Sequence, residues 1–377
     1  MEKQKIYFPN LGGIRFIAAF LVIIHHIEQF KFISTFENYW ETVPFIRIIG
    51  NLGVILFFVL SGFLITFLLL SEENTFKVID IKAFYIRRIL RIWPLYFLIL
   101  LLAFAILPNI QLFTLPGLGK DVIYTDLGLK VFLYVIFLPN MVLPLLGIVP
   151  YVSHTWSIGT EEQFYLVWPV ILKYFKKFRL SLMLFIVFFY MAFAKFLISP
   201  YAKSLPNKNT IIFFWSSFNI DCMAIGGIFA ILLFQKHNML RYLINNILCY
   251  TTIISVILMM INSIYIPYIH YEFYSVLFGI IILNFAQNEQ LKFSLEQAVF
   301  KYLGNISYGL YMYHPIGIVF SLFVCKLLNL TSNWFIYPLS FMVTIFLASI
   351  SYQYFEKYFL KYKYKFSKIS SGNETKL

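Results

Sequence analysis

The sequence predicts an all-α, polytopic membrane protein with about ten transmembrane helices. Three observations carry that reading. Of 377 residues, 60% are hydrophobic and only 12% are charged, whereas soluble domains carry about a quarter charged residues. The apolar residues fall into separated runs, most of them near the length that crosses a bilayer. The Lys and Arg residues gather between alternate runs, the pattern of cytoplasmic loops facing anionic lipid. The net charge of +13 therefore points to a membrane surface and away from nucleic acid, and the interleaved aromatics read as interface anchors.

The first run, 11–31, follows Lys3 and Lys5 and resembles a signal peptide. No small-residue cleavage site follows it, so it is expected to remain as an uncleaved first span. The second, 49–70, contains GVILFFVLSGFLI, where Gly53, Ser61 and Gly62 let helices approach closely or let a ligand pass. Ser61-Gly62 lacks a strand-turn-helix elbow, so a serine hydrolase is not expected. The third is 92–108. The stretch 128–147 is broken by Pro139 and Pro144. Counting it as a crossing would place Lys173 to Arg179 and the Lys-rich tail outside, against the positive-inside rule. Residues 109–155 are therefore expected to form an external or re-entrant segment that is buried in protein or lines a cavity. The remaining spans are expected at 162–176, 180–198, 211–235, 242–263, 267–287, 305–328 and 333–356. Both termini are then cytoplasmic. Residues 1–360 form one transmembrane domain, and 361–377 form a basic tail on the inner membrane surface. No repeat of transporter halves and no appended soluble domain is read. Asn373-Glu374-Thr375 is a sequon without meaning on that side. Cys222, Cys249 and Cys325 show no metal or disulfide spacing.

Four polar constellations interrupt this background. Arg15 and His26 share the first run, about 20° apart in rotation and roughly 16 Å apart along the axis. Ionisable residues inside a membrane helix mark functional sites by default. A cation and an imidazole on one face suit an anionic ligand at one depth and proton chemistry at another. The plainer alternative is an interfacial anchor plus a hydrogen-bonding core group. His25 points about 100° away and reads as structural. In FYIRRILRIWPLYF, Arg88 and Arg91 share a face and suit a phosphate or pyrophosphate, with lipid headgroups as the alternative. Arg87 faces elsewhere. In SHTWSIGTEEQFYLVWP, residues 153–169, Ser157, Thr160, Glu161, Glu162 and Gln163 crowd the start of a helix that Trp168-Pro169 is expected to close. The carboxylates suit a helix N-terminus, the orientation of an imidazole, or the binding of sugar hydroxyls. His154 in this cluster is placed to meet an acceptor. In LGNISYGLYMYHP, His314 stands mid-span, as an interhelical hydrogen-bonding group or a second catalytic candidate. His237 and His270 sit at loops without an assigned role.

Five segments, LGGIRFIAAFLVIIHH, GVILFFVLSGFLIT, RRILRIWPLYF, HTWSIGTEEQFYLVWP and LGNISYGLYMYHP, together resemble the acyltransferase family 3 integral membrane proteins. These include bacterial O-acetyltransferases of cell-envelope polysaccharides. The resemblance runs over about residues 7–360. The family's basic residue, ten intervening residues and essential histidine fall on Arg15 and His26. Its Arg-x-x-Arg falls on Arg88 and Arg91. Its Trp-Ser and Glu-Glu-Gln-Phe-Tyr signature falls on Trp156, Ser157, Glu161, Glu162, Gln163, Phe164 and Tyr165. Many members carry an acidic residue where this chain has Gly12. Some members carry a C-terminal hydrolase-like domain, which is not expected here.

The resemblance implies an acyl-CoA donor, usually acetyl-CoA, and an acceptor hydroxyl on an extracytoplasmic glycan or lipid-linked sugar, in a multi-pass protein of the cytoplasmic membrane. On that reading Arg15, Arg88 and Arg91 hold the CoA phosphates. Ser61, Trp156, Ser157 and Tyr165 line the binding site. His26 is the general base, with an acyl-imidazole on His26 as the alternative, and Glu161 or Glu162 tunes it; His314 is next in line. No metal is expected. The competing reading is a proton-coupled transporter or flippase of an envelope precursor.

Overall fold

A computed structural model describes residues 4–367 and 369–371; the sequon at 373–375 lies outside them. The chain is helical almost throughout. The helices are α1 (Leu11–Ile33), α2 (Pro44–Phe76), α3 (Ile81–Leu101), α4 (Lys120–Tyr124), α5 (Leu127–Val135), α6 (Pro139–Leu146), α7 (Trp156–Tyr174), α8 (Arg179–Ile198) and α9 (Lys208–Phe218). They continue with α10 (Ile220–Phe234), α11 (Leu240–Leu243), α12 (Asn246–Ile261), α13 (His270–Gln287), α14 (Ala298–Asn305), α15 (Ser307–Leu327), α16 (Asn333–Ser351) and α17 (Lys357–Lys363). Two three-residue strands, β1 (Gln4–Ile6) and β2 (Ile369–Ser371), pair in parallel and tie the chain's ends together.

Among the described residues, seven helical stretches are long and apolar enough to cross a membrane: Leu11–Ile33, Pro44–Phe76, Ile81–Asn109, Lys176–Ile198, Lys208–Phe234, Ser307–Leu327 and Asn333–Phe366. The other three expected spans fall on α7, α12 and α13, of 19, 16 and 18 residues. Of these, α7 carries Glu161, Glu162 and Lys173, and α12 is short. The expected stop at Trp168-Pro169 is not one. Helix α7 starts at Trp156 and continues through Pro169 to Tyr174, and Trp168 is held inside the bundle, its Nε1 donating to Thr66 Oγ1 at 2.8 Å.

The basic segments converge on one end of the bundle. Glu73 bridges Lys176 at 2.7 Å and Arg179 at 2.6 Å. Arg87 pairs with Glu72 at 3.0 Å and donates to the Phe366 carbonyl. Asn10 reaches Phe285 O and Leu295 N at 3.0 and 2.7 Å, and Asn284 reaches the 243–245 turn. The described part of the tail packs against the basic end of α3. At the opposite end Lys31 and Glu28, both 0% exposed, pair at 2.6 Å and bond to Asn333 and Tyr337. This network joins α1 to α16 there.

At the centre, α2 and α10 touch backbone to backbone. A Cβ on Gly62 would lie 1.9 Å from the Met223 carbonyl, and one on Gly226 2.0 Å from that of Val59. Only glycine permits this approach. Residues 109–155 form short helices of five, nine and eight residues joined by turns, and they wall a cavity, as irregular backbone at membrane depth must.

Candidate active site

Two cavities meet inside the bundle. The first opens at the basic end and is lined by Arg15 of α1, Arg88 and Arg91 of α3, and Ser61 and Glu161. The second lies toward the other end and is lined by His25, His26, His154, Trp156 and the 115–153 turns. Val54 and Tyr311 line both. The Arg15–His26 face of α1 thus spans the pair, the guanidinium in the first cavity and the imidazole in the second.

Helix geometry fixes the histidine tautomers. His26 Nδ1 lies 2.9 Å from the Val22 carbonyl one turn earlier. His314 Nδ1 lies 2.6 Å from the Tyr311 carbonyl. That carbonyl is available because Pro315, four residues on, has no N–H to occupy it. A carbonyl only accepts, so each Nδ1 carries the proton and each Nε2 keeps its lone pair. The His26 and His314 rings lie 4.7 Å apart between centroids, His314 and His154 4.8 Å, and His26 and His154 6.5 Å. His314 is fully buried with no partner on Nε2 and lines neither cavity, so it stands behind His26 and not against a substrate. His25 bonds to the Ile46 carbonyl at 2.8 Å and packs on Trp40.

The acidic pair divides. Glu161 accepts from Ser61 Oγ at 2.9 Å and from Tyr165 OH at 3.0 Å. Arg88 stands over the Tyr165 ring, its guanidinium carbon 5.2 Å from the centroid. Glu162 points away and accepts from Trp93 Nε1 at 3.0 Å. Neither carboxylate is hydrogen-bonded to an imidazole: Glu161 is held by Ser61 and Tyr165, and Glu162 by Trp93. Gln163 bonds to Asn140 and the Phe137 carbonyl, fastening the 109–155 segment. Ser157 and Tyr165 line the basic cavity, and Trp156 lines the histidine cavity.

A family profile described as an acyltransferase domain matches residues 8–353. This chain belongs to the acyltransferase 3 family. The members it resembles include a Staphylococcus aureus (strain COL) protein provisionally named an O-acetyltransferase, 26% identical over 95% of this chain and 58% of that protein. The peptidoglycan O-acetyltransferase OatA of Listeria monocytogenes is 30% identical over 46% of this chain and 25% of its own length. O-acetyltransferase OatA of Staphylococcus aureus (strain NCTC 8325) is 30% identical over 45% and 25%. The chain thus spans little more than half the length of the first of these. No solved structure matches it.

Three family-site neighbours escaped the sequence reading. Tyr311 donates its hydroxyl to the His154 carbonyl at 2.6 Å and lies 2.7 Å from Ser157 Oγ, at the junction of the cavities. Its only sequence signal is its place three residues before His314. Lys301 and Glu296 pair at 3.0 Å on the wall of the basic cavity. Burial works to raise the Glu296 carboxyl, but Tyr7, the Asn10 amide and Lys301 outweigh it and hold it below the usual range.

Proposed function

We propose that this protein is a membrane O-acyltransferase that moves an acyl group, acetyl in the first instance, from cytoplasmic acyl-CoA to a hydroxyl of an extracytoplasmic glycan or lipid-linked sugar. The proposal includes ten spans in the cytoplasmic membrane, with the basic end in the cytoplasm by the positive-inside rule. The observation that carries it is the junction at Tyr311 and Val54: an arginine-lined cavity abuts one that holds a histidine with an available lone pair. In this reading Arg15, Arg88 and Arg91 bind the CoA phosphates, and the pantetheine arm runs along α1 toward His26. The acceptor enters the histidine cavity under the 109–155 segment. His26 Nε2 takes the hydroxyl proton as the oxygen attacks the thioester carbonyl. The C–S bond breaks, and the thiolate takes the proton from the imidazolium, leaving the ester and CoA. The peptidoglycan acceptor named for one relative makes envelope glycan the first acceptor class to try.

The test is CoA release by purified protein given acetyl-CoA and a panel of envelope sugars, with His26→Ala alongside. Removing a general base is expected to lower turnover about 10²- to 10⁴-fold. Turnover surviving in His26→Ala would move the base elsewhere. Gradient-coupled uptake into vesicles without any acyl-CoA would replace the enzyme with a transporter.

A further inference from the structure

Hydropathy reads 211–235 as one span, yet the helix breaks at Asn219, whose φ of 37° lies in the left-handed region that asparagine tolerates. Irregular backbone at membrane depth persists where protein satisfies it and where it lines a cavity. Side chains take the carbonyls freed at the end of α9. Asn219 Nδ2 donates to Ser216 O at 3.1 Å, Thr160 Oγ1 to Ser217 O at 3.3 Å, and the Tyr190 hydroxyl to Trp215 O. Beside the break lies a further cavity of about 300 Å³, which shares Asn51 and Trp156 with the histidine cavity. Ser216, Ser217, Asn219 and Tyr271 extend its polar wall, and Phe213 gives an apolar side.

None of the described residues that line this cavity is charged, in contrast to the arginine cavity. Its amides both donate and accept. Asn51 Nδ2 and Tyr271 OH meet at 3.3 Å, a long bond that a ligand hydroxyl can enter. The Ser216 and Ser217 hydroxyls donate to the Phe213 and Phe214 carbonyls, which leaves each oxygen able to accept. Such a wall matches a sugar ring, whose hydroxyls do both and whose C–H faces are apolar. A lipid chain would strand these polar groups, and a phosphate would find no cation. Building on the acyltransfer reading above, we propose that this cavity is an acceptor subsite, holding the uncharged sugar next to the one whose hydroxyl enters the histidine cavity. Its volume stands at the lower end of small-ligand sites, roughly 300–1,000 Å³, the scale of a single ring. The acceptor is then a neutral glycan of two or more sugars, with Trp156 at the junction between them.

Full-length protein in nanodiscs is given acetyl-CoA and chains of one to four units of glucose or N-acetylglucosamine. CoA release is read as kcat/KM for each chain. Wild type is expected to gain about tenfold from one unit to two, the weight of one or two neutral hydrogen bonds, and little beyond. Ser216→Leu fills the cavity from an exposed position on α9 and is expected to remove that gain through KM, with kcat held. Tyr271→Phe deletes one hydroxyl and is expected to cut the gain about two- to tenfold. Equal wild-type kcat/KM for one and two units, or a Ser216→Leu variant that lowers every chain length alike, would overturn the subsite; the first comparison needs no variant to fold. A larger gain with hyaluronan fragments of matched length would overturn its uncharged character. Acetyl-CoA binding without release on any chain would overturn the glycan subsite and leave the donor in place. Failure of acetyl-CoA to bind would instead bring down the acyltransfer reading beneath it.

Discussion

Pro315 shows how one residue sets the chemistry of its neighbour. Proline has no N–H and leaves the carbonyl four residues earlier, that of Tyr311, without its helical donor. His314 Nδ1 takes the vacancy at 2.6 Å, which fixes its tautomer and turns its ring onto His26, 4.7 Å away. Pro315→Ala returns a backbone donor to Tyr311 O and competes with the imidazole for it. Turnover is expected to fall roughly 10- to 100-fold, the scale of a misplaced catalytic neighbour. Binding of acyl-CoA, at the arginine cavity, is expected to stay unchanged. Unaltered turnover in this variant would make His314 a packing group with no bearing on His26. The sequence placed His314 mid-span beside a proline but could not say what the ring faced, since periodicity reports a residue's direction on its own helix and not the helix opposite.

One stretch of α2 does two jobs. Gly62 lets the backbone of α10 pass, while Ser61, the residue before it, turns into the arginine cavity and donates to Glu161 at 2.9 Å. Small-residue spacing in GVILFFVLSGFLI made a close helix contact legible in the sequence, but not that α10 is the partner. In Gly226→Ala the added methyl would lie 2.0 Å from the Val59 carbonyl, a backbone atom with no rotamer to yield. The helices must part, at a cost of about 1–3 kcal/mol, seen as a drop of a few degrees in apparent Tm in detergent. Gly128→Ala, which meets nothing within 4 Å, is the control and is expected to match or slightly exceed wild type. Equal loss in both variants would assign the effect to glycine itself and not to the crossing.

For the whole molecule, the apolar runs and the basic loops foretold most of the layout: the expected spans fall on helices, with 211–235 divided between α9 and α10 at Asn219, and the basic segments meet at one end through Glu73, Arg87 and Asn10. The two-cavity arrangement was only half legible. Arg15, Arg88 and Arg91 were grouped by the family resemblance, but the joining of His26 to His154 and His314, and the junction at Tyr311, depend on which helices pack together. The contact of the segment after α17 with α3 was not legible for a related reason, since a basic aromatic tail suits a lipid surface and a protein groove equally well. Sidedness tests the acyltransfer proposal, because acyl-CoA is cytoplasmic and on that proposal the arginine cavity has to open there. Lys177 is exposed at the basic end and Glu37 at the other, while the native cysteines are buried and give a low background. On intact cells a membrane-impermeant maleimide is expected to label Glu37→Cys and to spare Lys177→Cys until the membrane is opened. The reverse pattern would turn the arginine cavity outward, away from any acyl-CoA, and the acyltransfer proposal would fail with it.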